Sequence, residues 1–169
     1  MARMSAAHLA PQGGGYEPQR KYDWEIELYG VPGQDVLKLS AESFQPSSVE
    51  NEEIPLAYLN EIVKVAGQAK WGEATFVIKD HVDEPAYSSI MQWKKMVHDP
   101  ATGNHGLAST YKKQGNIVLI GPDNGIERRY QLIGVWPKSI EAEQLNYAEG
   151  NQIYKISIKL SVDKAYPLF

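Results

Sequence analysis

The sequence predicts a mainly β protein, an antiparallel sandwich or barrel with one flanking α-helix. Three observations predict it. Seven or eight segments alternate apolar and polar residues with a period of two. Turn-forming stretches such as Gly30-Val31-Pro32-Gly33 and Gly121-Pro122-Asp123-Asn124-Gly125 separate them, with no βαβ rhythm. Helical periodicity extends over a useful length in one segment alone, from Glu84 to His98.

Residues 1–22 are rich in Ala, Gly, Gln and Pro, lack periodicity, and are expected to form a flexible arm ahead of a β-domain over 23–169. In the first strand Trp24, Ile26 and Leu28 face one way; Asp23, Glu25, Glu27 and Tyr29 face the other. After the Gly30–Gly33 turn, Val36–Ala41 alternates again and predicts the second strand of a hairpin. Phe44 to Asn51 (FQPSSVEN) reads as a polar loop.

The stretch Glu52–Asp80 predicts two strands joined at Gly67. Ile62, Lys64 and Ala66 alternate with Val63, Val65 and Gly67, and Ala74, Phe76 and Ile78 with Glu73, Thr75, Val77 and Lys79. A mixed face that still carries Val63, Val65 and Val77 is neither core nor plain solvated surface, and implies contact with another copy of the chain.

In the helix, Ala86, Ile90, Trp93 and Val97 recur at helical spacing, Asp83 is placed to cap it, and Pro85 suits its first turn. Asp99-Pro100 ends it, and a loop runs to Gly106. The helix is expected to plug one opening of the β-domain. A hairpin over Ile117–Ile120 and Arg129–Ile133 turns at Asn124-Gly125, and strands Val135–Leu145 and Ile153–Val162 follow. In the last of these, Tyr154, Ile156, Ile158, Leu160 and Val162 point inward.

The 169 residues favour a single domain with one proper core. The net charge of −4 comes from 21 acids and 17 bases, and basic residues cluster in nothing longer than short pairs such as Arg20-Lys21 and Arg128-Arg129. This disfavours tight DNA binding. With no cysteine there is no disulfide, thiolate nucleophile or cysteine-ligated metal. No apolar run approaches the ~18 residues that span a bilayer, and the N-terminus is a poor signal peptide. Synthesis in the cytoplasm is expected.

Catalytic chemistry is not evident. His81 lies in Asp80-His81-Val82-Asp83 at a strand-to-helix corner, where such residues serve as caps and turn formers; His98 and His105 flank a loop without a third ligand. No nucleophile elbow, phosphate loop or dinucleotide fingerprint occurs. Glu141 and Glu143 fit a solvated strand face better than an acid–base pair. The chain is expected not to be an enzyme and to need no cofactor or metal. The aromatic residues leave open a sugar- or nucleic-acid-binding module.

An ordered set of short motifs is more specific. Ile54-Pro55 precedes Tyr58-Leu59-Asn60, then Val65-Ala66-Gly67, Trp71, Thr75 and Val77, the helix with Trp93, Tyr111-Lys112-Lys113, Gly134-Val135-Trp136-Pro137 and Leu160-Ser161-Val162-Asp163. In this order the sequence resembles the tail tube proteins of contractile-tailed, T4-like bacteriophages, over about Tyr22 to Tyr166.

The resemblance implies hexameric rings that stack into an inner tube, with four strands per subunit forming a continuous barrel around a lumen. It implies a contractile sheath outside, a tape-measure protein and then DNA passing within, and a baseplate hub and tail terminator at the ends. The virion tail is the implied location. A baseplate tube initiator and a type VI-like secretion tube share the fold and remain alternatives. Phe44, Gln45, Pro46, Val49, Glu52 and Ile54 are the expected ring-stacking residues, and deletion of residues 46–51 is expected to leave a soluble chain that forms no tubes. Glu73, Thr75, Lys79, Glu141 and Glu143 are the expected lumen-facing residues. At −4 per copy, six copies carry −24, and an acidic lumen would let DNA slide without specific binding.

Overall fold

The computed structural model describes residues 19–83, 85–147, 150 and 152–168. Among them are nine strands and three helices, in the order β1 (Trp24–Tyr29), α1 (Gln34–Leu39), β2 (Ala41–Gln45), β3 (Val49–Tyr58), β4 (Glu61–Trp71), β5 (Glu73–Lys79), α2 (Ala86–Val97), α3 (Ala108–Tyr111), β6 (Lys113–Ile120), β7 (Ile126–Ala142), β8 (Lys155–Ser161) and β9 (Lys164–Pro167). The arm expected over residues 1–22 falls mostly on 1–18, and the expected first helical residue is Glu84; both lie outside the described residues.

Two antiparallel layers share one long strand. The N-terminal half of β7 pairs with β6 and β9, and β1 pairs with β6. Its C-terminal half pairs with β8, which continues through β5 to β2. Between the layers pack Ile26 and Leu28 of β1, Phe76 and Ile78 of β5, and Ile156, Ile158 and Leu160 of β8. The alternation read from β1, β5 and β8 therefore identifies the inward residues correctly.

Strand β7 changes layer at Gly134, which has φ +68° and lies in a register shift between Ile133 and Val135. Such a bulge turns a strand from one sheet to the next. A Cβ at this position would fall 2.1 Å from Asp163 Oδ2. That carboxylate accepts the Lys112 ammonium at 2.7 and 2.9 Å, so moving it aside would give up this ion pair. Gly134→Ala is expected to cost about 1–3 kcal/mol through left-handed strain and this clash, read by chemical denaturation; an unchanged midpoint would mean the corner does not depend on glycine.

The expected hairpin partner Val36–Ala41 is instead α1. Leu37 N–H donates to Gly33 O at 3.0 Å and Ser40 N–H to Val36 O at 2.9 Å. Six residues fit a period of two or a short helix equally well, and burial decides: Leu37 is fully buried whereas Leu39 is exposed. Asp35 in the first turn and Lys38 in the last suit the helix dipole.

Helix α2 forms nearly as expected, with Ala86, Ile90 and Trp93 buried. Its cap differs from expectation. Pro85 is the N-cap residue and supplies no side-chain bond, while Asp80 Oδ1 accepts the Tyr87 N–H at 3.2 Å. Trp93 Nε1 donates to Tyr111 O at 2.9 Å, and Lys94 Nζ to the Pro137 and Lys138 carbonyls. The helix thus closes the sandwich at the β7 corner. The loop after it is pinched by a bridge between His98 and His105, whose rings lie 4.7 Å apart. Near Trp24, at the other end of β1, the layers leave an apolar trough of about 560 Å³.

Candidate assembly interface

Strands β3 and β4 pair with each other and stand apart from the main sheet. The expected loop Phe44–Asn51 is in fact the end of β2, a link over residues 46–48, and the start of β3. The turn expected at Gly67 lies at Leu59-Asn60, where Leu59 adopts φ +55°. Gly67 is inside β4, and a Cβ there would meet Glu52 O at 2.9 Å, so glycine serves close strand approach and not a bend.

Cross-strand register gives this hairpin two unequal faces. Ile54 lies opposite Val65, and Leu56 opposite Val63. With Tyr58 at the next alternate position, these residues form one apolar face near the tip, and all five are 42–71% exposed. The other face carries Glu53, Pro55 and Lys64, with an ion pair between Lys64 and Glu53. A two-stranded ribbon is marginal in water on its own, and an exposed apolar face marks an interaction surface.

The expected stacking residues divide in this setting. Ile54 lies on the apolar face and Val49 at the hairpin base. Glu52 is bonded to Lys70 along the ribbon. Gln45 and Pro46 are exposed at the link. Phe44 packs its ring 6.2 Å from Phe76 and belongs partly to the core. Sequence reasoning missed Leu56 and Tyr58, although the mixed face with Val63 and Val65 was the available signal.

A second surface gathers the other expected residues. Glu73, Thr75 and Lys79 alternate with buried Ala74, Phe76 and Ile78 and so share the outward face of β5. Glu141 joins them across β8 through an ion pair with Lys159 at 2.6 Å, and Glu143 Oε2 accepts the Lys155 N–H at 3.3 Å. This is the polar face of the four strands β2, β5, β8 and the C-terminal half of β7.

Its charge differs from the expected acid excess. Glu42, Glu73, Glu141 and Glu143 are matched by Lys79, Lys138, Lys155 and Lys159, and ion pairs join Glu42 to Lys155, Glu73 to Lys138 and Glu141 to Lys159. The hydrogen bond from Lys138 holds the Glu73 carboxyl below its ordinary range. Bonds to Glu141 and Glu42 raise the Lys159 and Lys155 ammoniums. A depressed carboxyl contributes stability above its unfolded value and loses it as pH falls through its lower folded value. Glu73→Gln is therefore expected to make the thermal midpoint fall less steeply below about pH 4.5; an unchanged acid slope in melts from pH 7 to 3 would dismiss the pair as a contributor.

Among the described residues no cluster of three or more His, Asp or Glu side chains could hold a metal ion, and no helix is long and apolar enough to cross a membrane.

The fold has known counterparts. No protein-family model matches the chain. The tail tube protein gp19 of Enterobacteria phage T4 is 22% identical over 116 residues, 66% of this chain and 70% of gp19, and the phage T6 protein aligns to the same extent. A chain of the sheath–tube complex of an extracellular contractile injection system, PVC, superposes with a TM-score of 0.69 at 14% identity, over 98% of both chains. The chain thus shares its fold with a chain of a contractile injection system. A chain of the anti-feeding prophage baseplate, 6-fold symmetrised, gives a TM-score of 0.63 at 13% identity, covering 90% of this chain and 97% of that one. In this chain the projecting hairpin exposes its apolar face, and the four strands present a polar one.

Proposed function

We propose that this chain is the subunit of the inner tube of a contractile phage tail, with six copies closing into a ring and rings stacking into a conduit for genome delivery. The observation that carries this is the projecting hairpin, whose apolar face needs a partner, on a tail tube fold. The 22% identity to a phage tail tube protein favours the phage setting. Closure of six four-stranded sheets side by side would pair β2 of one copy with β7 of the next. That removes the open edges that otherwise invite uncontrolled pairing.

Glu73, Thr75, Lys79, Glu141 and Glu143 would then line the lumen. Three of that face's four lysines are held by carboxylates, which leaves little free cation to grip phosphate, so DNA passes without specific binding. Phe44, Gln45, Pro46, Val49, Glu52 and Ile54 would contribute to stacking, joined by Leu56, Tyr58, Val63 and Val65. Partners would be the tail sheath, tape-measure protein, baseplate hub and tail terminator, and no membrane. The subunit would be made in the host cytoplasm and reside in the virion tail.

Electron microscopy of the purified full chain tests the proposal. Long hollow tubes are expected. Isolated rings would favour a baseplate initiator, a reading that the likeness to a baseplate chain keeps open. Monomers at all concentrations would overturn both.

A further inference from the structure

We infer that the hairpin tip of one copy docks in the apolar trough at the mouth of the sandwich of the next copy. This rests on the tube subunit reading and names the surface that receives the hairpin. The trough is lined by Trp24, Phe44, Trp71, Ile117, Leu119 and Leu132, and its volume is about 560 Å³. That lies within the roughly 300–1,000 Å³ of sites that enclose a ligand, room enough for several side chains. At the tip, Tyr58 and Leu59 are 71% and 92% exposed.

Charge favours the same match. Lys64 and Lys70 are taken up by Glu53 and Glu52, so the hairpin is left with the carboxylates of Glu50 and Glu61 and a net negative charge. Glu61 directly follows the tip turn. The trough's rim carries the cationic Lys21. An acidic, apolar-faced tip thus meets a basic-rimmed, apolar recess.

Geometry excludes the chain's own tip. Val49 and Trp71, the pair at the hairpin base, themselves line the trough. The strand from Val49 to Tyr58, at about 3.3 Å per residue, carries the tip roughly 30 Å away. Each copy therefore offers a tip at one end and a recess at the other. Such head-to-tail contacts join unlike surfaces and propagate until they close.

The absence of cysteine makes the test direct. Full-length Leu59→Cys and Lys21→Cys chains, mixed, assembled and treated with a short bis-maleimide, are expected to give a 59–21 heterodimer. Its yield should exceed that from either chain alone on the order of tenfold, because docking raises the effective concentration of the two groups. The double variant should give a ladder of covalent multimers. Tubes visible by microscopy without the 59–21 cross-link would overturn the docking and leave the tube reading intact. Failure of the unsubstituted chain to assemble would overturn both. In a Ser5→Cys/Lys21→Cys chain, a strong 5–21 link with no 59–21 link in the mixed sample would assign the trough to the chain's own N-terminal residues and overturn the docking.

Discussion

Val63→Glu is expected to abolish tube formation while leaving the subunit folded. Val63 is 53% exposed in one copy and lies at the centre of the hairpin's apolar face, opposite Leu56. Substitution there should change monomer stability by no more than about 0.5 kcal/mol, as at most surface positions. In an assembled contact the same change forfeits about 1.5–3 kcal/mol of valine burial and strands a carboxylate in apolar surroundings at several kcal/mol more. At 1.4 kcal/mol per tenfold, each contact weakens on the order of a thousandfold. Sedimentation velocity and electron microscopy should find small species only, with a thermal midpoint like that of the parent. Val63→Leu should still assemble. Normal tubes from Val63→Glu would mean that this face stays in solvent. The substitution is a cleaner probe than deletion of residues 46–51, which would also remove the Val49 and Glu50 pairings with Trp71 and Lys70.

Trp93→Ala is expected to have the largest effect on the subunit itself. The indole is fully buried beneath α2, and its Nε1–H satisfies the Tyr111 carbonyl at 2.9 Å. Truncating a buried tryptophan costs about 3–5 kcal/mol, from lost burial and the cavity left behind. An orphaned carbonyl adds to this. A domain of this size loses about 2–4 °C per kcal/mol, so the midpoint should fall by roughly 6–20 °C. Trp93→Phe should fall between, since it keeps ring volume and loses the hydrogen bond. A loss under about 1 kcal/mol for the alanine variant would show that α2 docks independently of the core's cooperative unfolding.

What was legible in the sequence follows a physical pattern. Segments with one buried and one wet face, β1, β5 and β8, announce themselves because burial imposes a period of two on their side chains. Helix α2 is equally clear, since Ala86, Ile90 and Trp93 recur on one stripe. The hairpin was misplaced for the opposite reason. None of β3 is buried, so no core within the chain fixes its register. Gly67 then looked like a turn, whereas Leu59-Asn60 makes the reversal with a left-handed leucine that propensity does not favour. The lumen candidates were found on one face because alternation predicts sidedness. Their charge balance was not, because Lys138 and Glu42 reach that face through register shifts in β7 and β2.

The continuity of β7 has a mechanical consequence. Its 17 residues run from one layer into the other without a chain break. A load applied along the polar face reaches the opposite layer through covalent backbone, not only through side-chain packing. Separating the layers would require sliding β7 past β6 or β8, loading several backbone hydrogen bonds in parallel. In the tube proposed above, a wall of such subunits would resist being peeled into two skins.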